Sequence, residues 1–263
     1  MNKKIKPTRS FDDLVKIMTI LRKECPWDRK QTHDSLKDLM VEEVYEAIDA
    51  IDQNNFDELK KELGDLLLHV VFHSEMASET NHFDIEDVIY GIQEKLIRRH
   101  PHVFEDVEAK TSDKVARNWE AIKMQEKDRD SVLSGVPGIL PALLRAQRMQ
   151  EKSAAVGFDW PEWDDVWAKL EEELEEFREA IQIGDKEESK KEFGDLLFSL
   201  VNVGRFFDLE AEDSLRLTNN KFQYRFQYIE KKLAEQNLSL EDVTLKEMDK
   251  LWEEAKETGE TSG

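Results

Sequence analysis

The stretch Lys60-Lys61-Glu62-Leu63-Gly64-Asp65-Leu66-Leu67 returns 130 residues later as Lys190-Lys191-Glu192-Phe193-Gly194-Asp195-Leu196-Leu197. At the same offset, Glu42-Glu43-Val44-Tyr45-Glu46 returns as Glu172-Glu173-Leu174-Glu175-Glu176. Several blocks that recur in one order at a fixed spacing are typical of internal duplication. The sequence therefore predicts two copies of one structural unit in tandem.

The pattern around both copies is helical. Apolar residues recur every three or four positions through most of the 263 residues, and Gly 10 and Pro 6 are low counts for this length. We predict an all-α fold of two tandem helical-bundle domains. Gly, Pro and Ser concentrate between them, so the expected boundaries are an N-terminal domain at 1–127, a linker at 128–140, a C-terminal domain at 141–257 and a disordered tail at 258–263.

Composition limits the function. Asp+Glu 59 against Lys+Arg 38 gives a formal net charge of -21, which disfavours nucleic acids and anionic membranes as partners. The single cysteine, Cys25, excludes an intramolecular disulfide framework and a cysteine-based zinc site. Neither a signal peptide nor a membrane-spanning apolar stretch is recognisable, so we expect a cytoplasmic protein.

The repeated acidic residues suggest a metal site. Glu43 and Glu46 project from one face of a helix, and Glu62 and Asp65 do so from the next helix. If these helices pack antiparallel, four carboxylates converge and need a cation; oxygen-only ligands favour Mg²⁺ or Mn²⁺. The second copy repeats this set as Glu173, Glu176, Glu192 and Asp195. The alternative is that these are solvated helix faces.

Two features of the repeated helix favour the metal interpretation. Asp65 and Asp195 each open an apolar run, so we expect that helix to be buried nearly all round. Gly64 and Gly194 stand inside the helix at a cost of about 1 kcal/mol each, which suggests a close approach of another helix at the site.

Cations and tryptophans follow the acids in the same order in both copies. Lys95 and Arg99, like Lys221 and Arg225, lie four apart and suit a polyphosphate; the alternative is ordinary surface charge. Trp119 and Trp252 each precede a lysine by four positions and could stack on a nucleobase or belong to a core. Four other tryptophans are expected to be mostly core, with one or two lining a base pocket: Trp27, Trp160, Trp163 and Trp167.

Two histidines follow Asp65 at one-turn intervals. His69 and His73 could suggest a zinc or di-iron site, but the matching positions in the second copy are Ser199 and Val203. We therefore interpret both histidines as structural.

Taken together, these motifs resemble the all-α nucleoside triphosphate pyrophosphohydrolase family. Their tandem order, with Cys25-Pro26-Trp27-Asp28, the stretch from Arg98 to Phe104 and the stretch from Leu140 to Gln147, resembles the tandem-domain MazG members of that family. The resemblance covers nearly the whole chain. It implies Mg²⁺-dependent hydrolysis of NTPs and dNTPs to monophosphates and pyrophosphate with broad base specificity, and a homodimer, with a regulatory protein as a further partner.

The resemblance also implies roles for individual residues. In the C-terminal copy Glu173, Glu176, Glu192 and Asp195 would bind the metal, and Glu172 would assist or orient the attacking water. Lys221 and Arg225 would hold the triphosphate, Trp252 would contact the base, and Lys169 and Lys256 would help. The N-terminal counterparts are Glu43, Glu46, Glu62, Asp65, Lys95, Arg99 and Trp119.

The two copies differ at one candidate residue. Lys169 corresponds to Leu39, which carries no charge, and we expect the C-terminal copy to carry most of the activity. The competing hypotheses are a non-catalytic helical module that binds a nucleotide or a regulatory partner, and a metal-dependent phosphoesterase acting on nucleoside diphosphates or dinucleotides.

Overall fold

The computed structural model describes residues 5–105 and 131–259. All regular secondary structure in these two ranges is helical, which confirms the all-α prediction. The chain divides at residues 108 and 109 into two compact units, called here the N-terminal unit and the C-terminal unit. The predicted boundary between 127 and 128 lies outside the described residues, so it stays a prediction.

The N-terminal unit consists of a short first helix, a long helical hairpin and two further helices. In chain order they are α1 (Phe11–Glu24), α2 (His33–Asp52), α3 (Phe56–Glu79), α4 (Ile85–Arg99) and the single turn α5 (Pro101–Phe104).

The C-terminal unit repeats the order of the first four helices. Its helices within residues 131–259 are α6 (Ala142–Ala155), α7 (Trp163–Ile183), α8 (Lys186–Phe206), α9 (Ala211–Glu235) and α10 (Leu245–Gly259). Helices α2 and α7 begin 130 residues apart, as do α3 and α8, so the offset found between the sequence motifs is also the offset between the two hairpins along the chain. Helix α10 includes the first two residues of the expected tail.

Short, capped turns form both hairpins. Helix α7 ends at Ile183 and is followed by Gly184, whose φ of 82° lies in the left-handed region that a glycine adopts without strain. The Asp185 side chain caps the start of α8. In the N-terminal unit Asn54, with φ 51°, and the cap residue Asn55 do the same between α2 and α3. Because so few residues join them, the paired helices run antiparallel, as the convergence of carboxylates requires.

Each unit has its own apolar core. The N-terminal core is built from Met18, Leu36, Val71, Phe72 and Met76, contributed by α1, α2 and α3. The buried apolar residues of the C-terminal unit come from α7 to α10: Val166, Ala180, Val201, Val203, Ile229, Leu233 and Ala255.

Two burial predictions are wrong. The repeated helix is not buried nearly all round, because Leu67 is 40% exposed in α3 and Leu197 and Leu200 are 38% and 53% exposed in α8. The four tryptophans expected to be mostly core are between 44% and 57% exposed: Trp27, Trp160, Trp163 and Trp167. Trp163 and Trp167 lie on α7, whereas Trp27 and Trp160 lie in the segments that precede α2 and α7. None of the described helices is long and apolar enough to cross a membrane.

Candidate functional site

Carboxylates from α2 and α3 meet in the N-terminal unit. One oxygen from each of Glu43, Glu62 and Asp65 can be chosen so that all lie within 4.8 Å of one another. Glu62 is only 7% exposed, whereas Asp65 faces solvent. The fourth predicted residue, Glu46, lies outside this closest group but repels Glu62 electrostatically. These four residues are called the N-terminal cluster.

Burial and the crowding of like charges raise the pKa values of two glutamates in this cluster. Burial, followed by repulsion from Glu46, raises the pKa of Glu62 to about 7. Burial, followed by repulsion from Asp65 and Glu46, also raises the pKa of Glu43. Glu62 is therefore protonated in about half of the molecules at neutral pH, and a bound cation would relieve the repulsion in place of the proton.

The C-terminal unit builds the matching cluster from α7 and α8. Oxygens of Glu173, Glu176 and Glu192 lie within 4.8 Å of one another, and Glu173 is 6% exposed. Burial, with repulsion from Glu176 and also from Asp195, raises the pKa of Glu192. These four residues are called the C-terminal cluster. Three of the four predicted carboxylates are thus closely grouped in each unit, and the fourth is electrostatically coupled to them.

One lysine distinguishes the two clusters. Lys169 Nζ lies 2.8 Å from Oε1 of Glu173 and 2.9 Å from Oε1 of Glu172. These hydrogen bonds, the one to Glu173 first, raise the pKa of Lys169. The matching residue, Leu39, brings no charge to the N-terminal cluster. Glu172 is therefore bound to a lysine at the edge of the C-terminal cluster.

The other predicted cations of the C-terminal unit and Trp252 lie on α9 and α10 rather than on the hairpin that carries the cluster. The Arg225 guanidinium lies 5.4 Å from the ring centre of Trp252, which also packs against Phe222 at 5.2 Å. Lys256 pairs with Glu253, and Lys221 is exposed. In the N-terminal unit Lys95 is exposed whereas Arg99 is 7% exposed, and Trp119 lies outside the described residues.

A cavity of about 430 Å³ adjoins the C-terminal cluster. Lys169, Glu173 and Asp195 line it, together with Leu133 and residues of α6, α8 and the segment between α6 and α7. Trp160 is among these side chains, so one of the four exposed tryptophans does line a pocket; Trp252 is not. The cavity was not predicted, because its walls come from segments that share no recognisable motif.

The structure bears on two further expectations at the site. His69 is 7% exposed and His73 is partly buried, and the two rings stack with centres 6.1 Å apart.

Gly64 and Gly194 do not mark a close helix approach within the described residues, because a Cβ at either position would have no neighbouring atom within 4 Å. That interpretation of the glycines is wrong for the single chain.

One protein-family model matches the sequence of both hairpins. The model of the MazG nucleotide pyrophosphohydrolase domain matches residues 31–104 and 164–230, which cover α2 to α5 and α7 to most of α9. The chain belongs to the MazG family. The resemblance drawn from the motifs is therefore confirmed, as is the tandem repetition of the MazG domain.

Curated MazG relatives cover nearly the whole chain. A Thermotoga maritima protein named nucleoside triphosphate pyrophosphohydrolase/pyrophosphatase MazG is 47% identical, over 95% of this chain and 97% of its own length. An Escherichia coli K12 protein named nucleoside triphosphate pyrophosphohydrolase is 42% identical, over 94% and 97%. The Bacillus subtilis protein YabN is 49% identical over 89% of this chain, but the match covers 48% of YabN.

Proposed function

We propose that this chain hydrolyses nucleoside triphosphates and their deoxy forms to the monophosphate and pyrophosphate, with broad base specificity. The observation that carries the proposal is the C-terminal cluster, in which Glu173, Glu176 and Glu192 gather beside a cavity that Asp195 also lines. Membership of the MazG family and the names of the full-length relatives support the same reaction.

The carboxylate clusters suit a hard divalent cation, and we propose Mg²⁺, with Mn²⁺ as a substitute. The donors are all carboxylate oxygens, and they lie within 4.8 Å of one another, which is compatible with the roughly 4.2 Å that separates opposite ligands around one Mg²⁺. Burial, followed by repulsion from neighbouring carboxylates, raises the pKa values of Glu62 and Glu192, and a cation would relieve the repulsion. When bound, Mg²⁺ supplies positive charge that offsets the charge developing on phosphoryl oxygens and lowers the pKa of water.

The chain's own side chains would bind and orient the substrate. Glu172, bound to Lys169, lies at the edge of the C-terminal cluster and would orient the attacking water. Lys221 and Arg225 would hold the triphosphate, and Lys169 and Lys256 would add positive charge near it. In the N-terminal unit Lys95 and Arg99 would have the corresponding role.

The C-terminal unit would carry most of the turnover. Its cluster has a cavity alongside and Lys169 within reach of two carboxylates. The N-terminal cluster would still bind a cation, because all four of its carboxylates are present.

A homodimer is part of the proposal. The exposed apolar side chains of the repeated helix, Leu67 in α3 and Leu197 and Leu200 in α8, are the ones whose sequence pattern is typical of a fully buried helix. A second copy packed on these faces would bury them. A regulatory protein partner and a cytoplasmic location stay predictions.

Product analysis tests the reaction. Purified protein, Mg²⁺ and a panel of NTPs and dNTPs should give monophosphate and pyrophosphate in equal amounts, and a chelator should stop the reaction. Release of orthophosphate and a nucleoside diphosphate would indicate a different phosphoesterase. A thermal shift on nucleotide binding without turnover in either Mg²⁺ or Mn²⁺ would indicate the non-catalytic module.

A matched control variant distinguishes the loss of a cluster carboxylate from the loss of an ordinary surface charge. Glu175 lies on the same helix as Glu173 and Glu176 but outside the C-terminal cluster, and it pairs with Arg178 at 3.2 Å. Glu175→Gln should leave turnover unchanged, whereas Glu176→Gln should lower it by at least about 10²-fold.

A further inference from the structure

We propose that three histidines of the N-terminal unit, His33, His69 and His73, form a binding site for a borderline divalent metal ion such as Zn²⁺. These three residues are called the histidine site. The inference goes beyond the proposed function, because it concerns another class of cation and does not depend on the reaction at the carboxylate clusters.

Two of the three rings share one face of α3. His69 and His73 lie four residues apart, so their side chains project from neighbouring turns of the same face. Their ring centres are 6.1 Å apart, and the ring planes differ by 29°. Two histidines at this spacing on one helix face are typical of zinc sites, because both rings can reach the same ion.

The third ring comes from the start of α2. His33 stacks on His73 with ring centres 5.0 Å apart, and the Nδ1 atoms of the two rings are 2.7 Å apart. Because two lone pairs would repel at this distance, one ring donates its N–H to the other. Neighbouring nitrogen ligands around a tetrahedral zinc ion lie roughly 3.3 Å apart, since Zn–N is about 2.0–2.1 Å. A small separation of the two rings would therefore let an ion replace the shared proton.

Two nitrogens of the histidine site are buried without a partner. His69 is 7% exposed, and neither its Nδ1 nor the Nε2 of His73 has a hydrogen-bond partner among the described residues. A buried polar atom that has lost its hydrogen bond to water destabilises the fold, and coordination of a cation would compensate for that loss. Burial, followed by repulsion from His33 and His69, also lowers the pKa of His73, so this ring is neutral at pH 7 and keeps a lone pair.

The His69 ring has to turn for one ion to reach all three residues. No choice of one nitrogen per ring brings all three atoms within 4.8 Å of one another. His33 and His73 already have nitrogens in contact, so the required movement is a rotation of the His69 side chain towards this pair. His33 is exposed, which gives an ion access to the pair from solvent.

The C-terminal unit has no such site. At the offset of 130 residues the matching positions carry no imidazole: Trp163, Ser199 and Val203. Their absence from the second copy argues only against a role of the histidines in the hydrolytic machinery that the two copies share. An ion held by the histidine site would link the start of α2 to the middle of α3 and stabilise the N-terminal hairpin.

The histidine site and the carboxylate clusters favour different ions. Imidazole nitrogen suits Zn²⁺, Co²⁺ and Ni²⁺, whereas Mg²⁺ takes oxygen ligands and keeps several waters. His69 is close enough to Glu43 to lower the pKa of that carboxyl group, so the two kinds of site are neighbours in the N-terminal unit. A large excess of Mg²⁺ should therefore occupy the clusters and leave the imidazoles to Zn²⁺.

The test is calorimetric titration of the full-length protein with ZnCl₂ in a large excess of Mg²⁺, and titration with CoCl₂ followed by visible absorption. His69→Ser and His73→Val introduce the residues of the C-terminal unit, and His33→Ala removes the exposed ring. His82→Ala removes another exposed histidine of the same unit and serves as the control.

We expect wild type to bind one Zn²⁺ per chain under these conditions and to gain in Tm when it does so. His33→Ala, His69→Ser and His73→Val should each weaken Zn²⁺ binding at least about tenfold, and His82→Ala should not change it. Co²⁺ should give the strong visible absorption of a nitrogen-bound, four-coordinate ion. His33→Ala keeps the proposal testable if changes at the buried rings prevent folding, because His33 is exposed.

Three results would overturn the inference. The first is no Zn²⁺ binding by wild type in excess Mg²⁺, which would leave the unpartnered nitrogens to buried water. The second is wild-type Zn²⁺ affinity in both His33→Ala and His73→Val. The third is a loss of Zn²⁺ binding in Glu62→Gln but not in the histidine variants, which would assign the ion to the N-terminal cluster.

Discussion

Lys169 Nζ lies 2.8 Å from Oε1 of Glu173, so the C-terminal cluster contains a cation of the chain's own. The matching residue of the N-terminal unit is Leu39. The C-terminal cluster is thus partly neutralised by the protein, whereas in the N-terminal cluster protonation of Glu62, whose pKa is about 7, reduces the repulsion as the pH falls. This difference between two copies of one motif leads to the first two predictions.

Lys169→Leu should separate metal binding from substrate binding. Removing the ammonium leaves the C-terminal carboxylates more negative, so we expect Mn²⁺ to bind roughly threefold to tenfold more tightly. The same change should raise the KM for an NTP, because a positive charge that lines the cavity is lost. Mn²⁺ titration followed by electron paramagnetic resonance, with steady-state kinetics, measures both effects. Weaker Mn²⁺ binding would contradict the prediction.

The N-terminal cluster should make the metal-free protein sensitive to pH. Glu62 has an ordinary pKa of 4.5 and a folded pKa of about 7, so protonation favours the folded form. This contribution is complete below about pH 4.5 and is lost as the pH rises through 7. Glu62→Gln should therefore raise the Tm of the metal-free protein at pH 8 and leave it nearly unchanged at pH 4.5.

The same carboxyl should control metal binding by the N-terminal cluster. Below pH 7 a proton on Glu62 competes with the cation, so Mn²⁺ affinity should fall as the pH is lowered from 8 to 6. The titration uses the Asp195→Asn variant. Its C-terminal cluster should bind Mn²⁺ more weakly, so the signal comes mainly from the N-terminal cluster. Equal Mn²⁺ affinity of the N-terminal cluster at pH 6 and pH 8 would argue against the raised pKa.

Gly194→Ala should reveal whether another protomer covers the repeated helix. Within the single chain a Cβ there meets nothing within 4 Å, so alanine should stabilise α8 by about 0.4–1 kcal/mol. If a second copy packs on this face, the added methyl group will instead lower the Tm and weaken the dimer. Light scattering and thermal unfolding of Gly194→Ala beside Gly64→Ala separate the two results.

The helical hairpins could be predicted from the sequence because their signals are local. Repetition at a constant offset, apolar periodicity and the capping residues Asn55 and Asp185 place α3 and α8 in matching positions. Placing Glu43 opposite Glu62 then needs only an antiparallel turn, and the structure brings their carboxylates together.

The cavity and the exposed faces could not be predicted in this way. An open space beside Asn202 depends on how side chains from α6, α8 and the segment containing Trp160 leave a volume unfilled, and no spacing rule describes that. Burial of Leu197 was wrongly predicted because an apolar pattern indicates that a helix face is covered without indicating which chain covers it. The same reasoning failed for Trp163 and Trp167, which lie on α7 with large exposed fractions.

The most direct test of the account is turnover in two matched variants, Asp195→Asn and Asp65→Asn. Both substitutions remove one charged oxygen from an exposed member of a cluster, and both residues open the matching apolar run in their own copy. We predict that Asp195→Asn lowers kcat/KM for pyrophosphate release by at least about 10²-fold, whereas Asp65→Asn changes it less than about threefold. Wild-type turnover in Asp195→Asn, or a larger loss in Asp65→Asn, would contradict the claim that hydrolysis takes place at the C-terminal cluster beside its cavity.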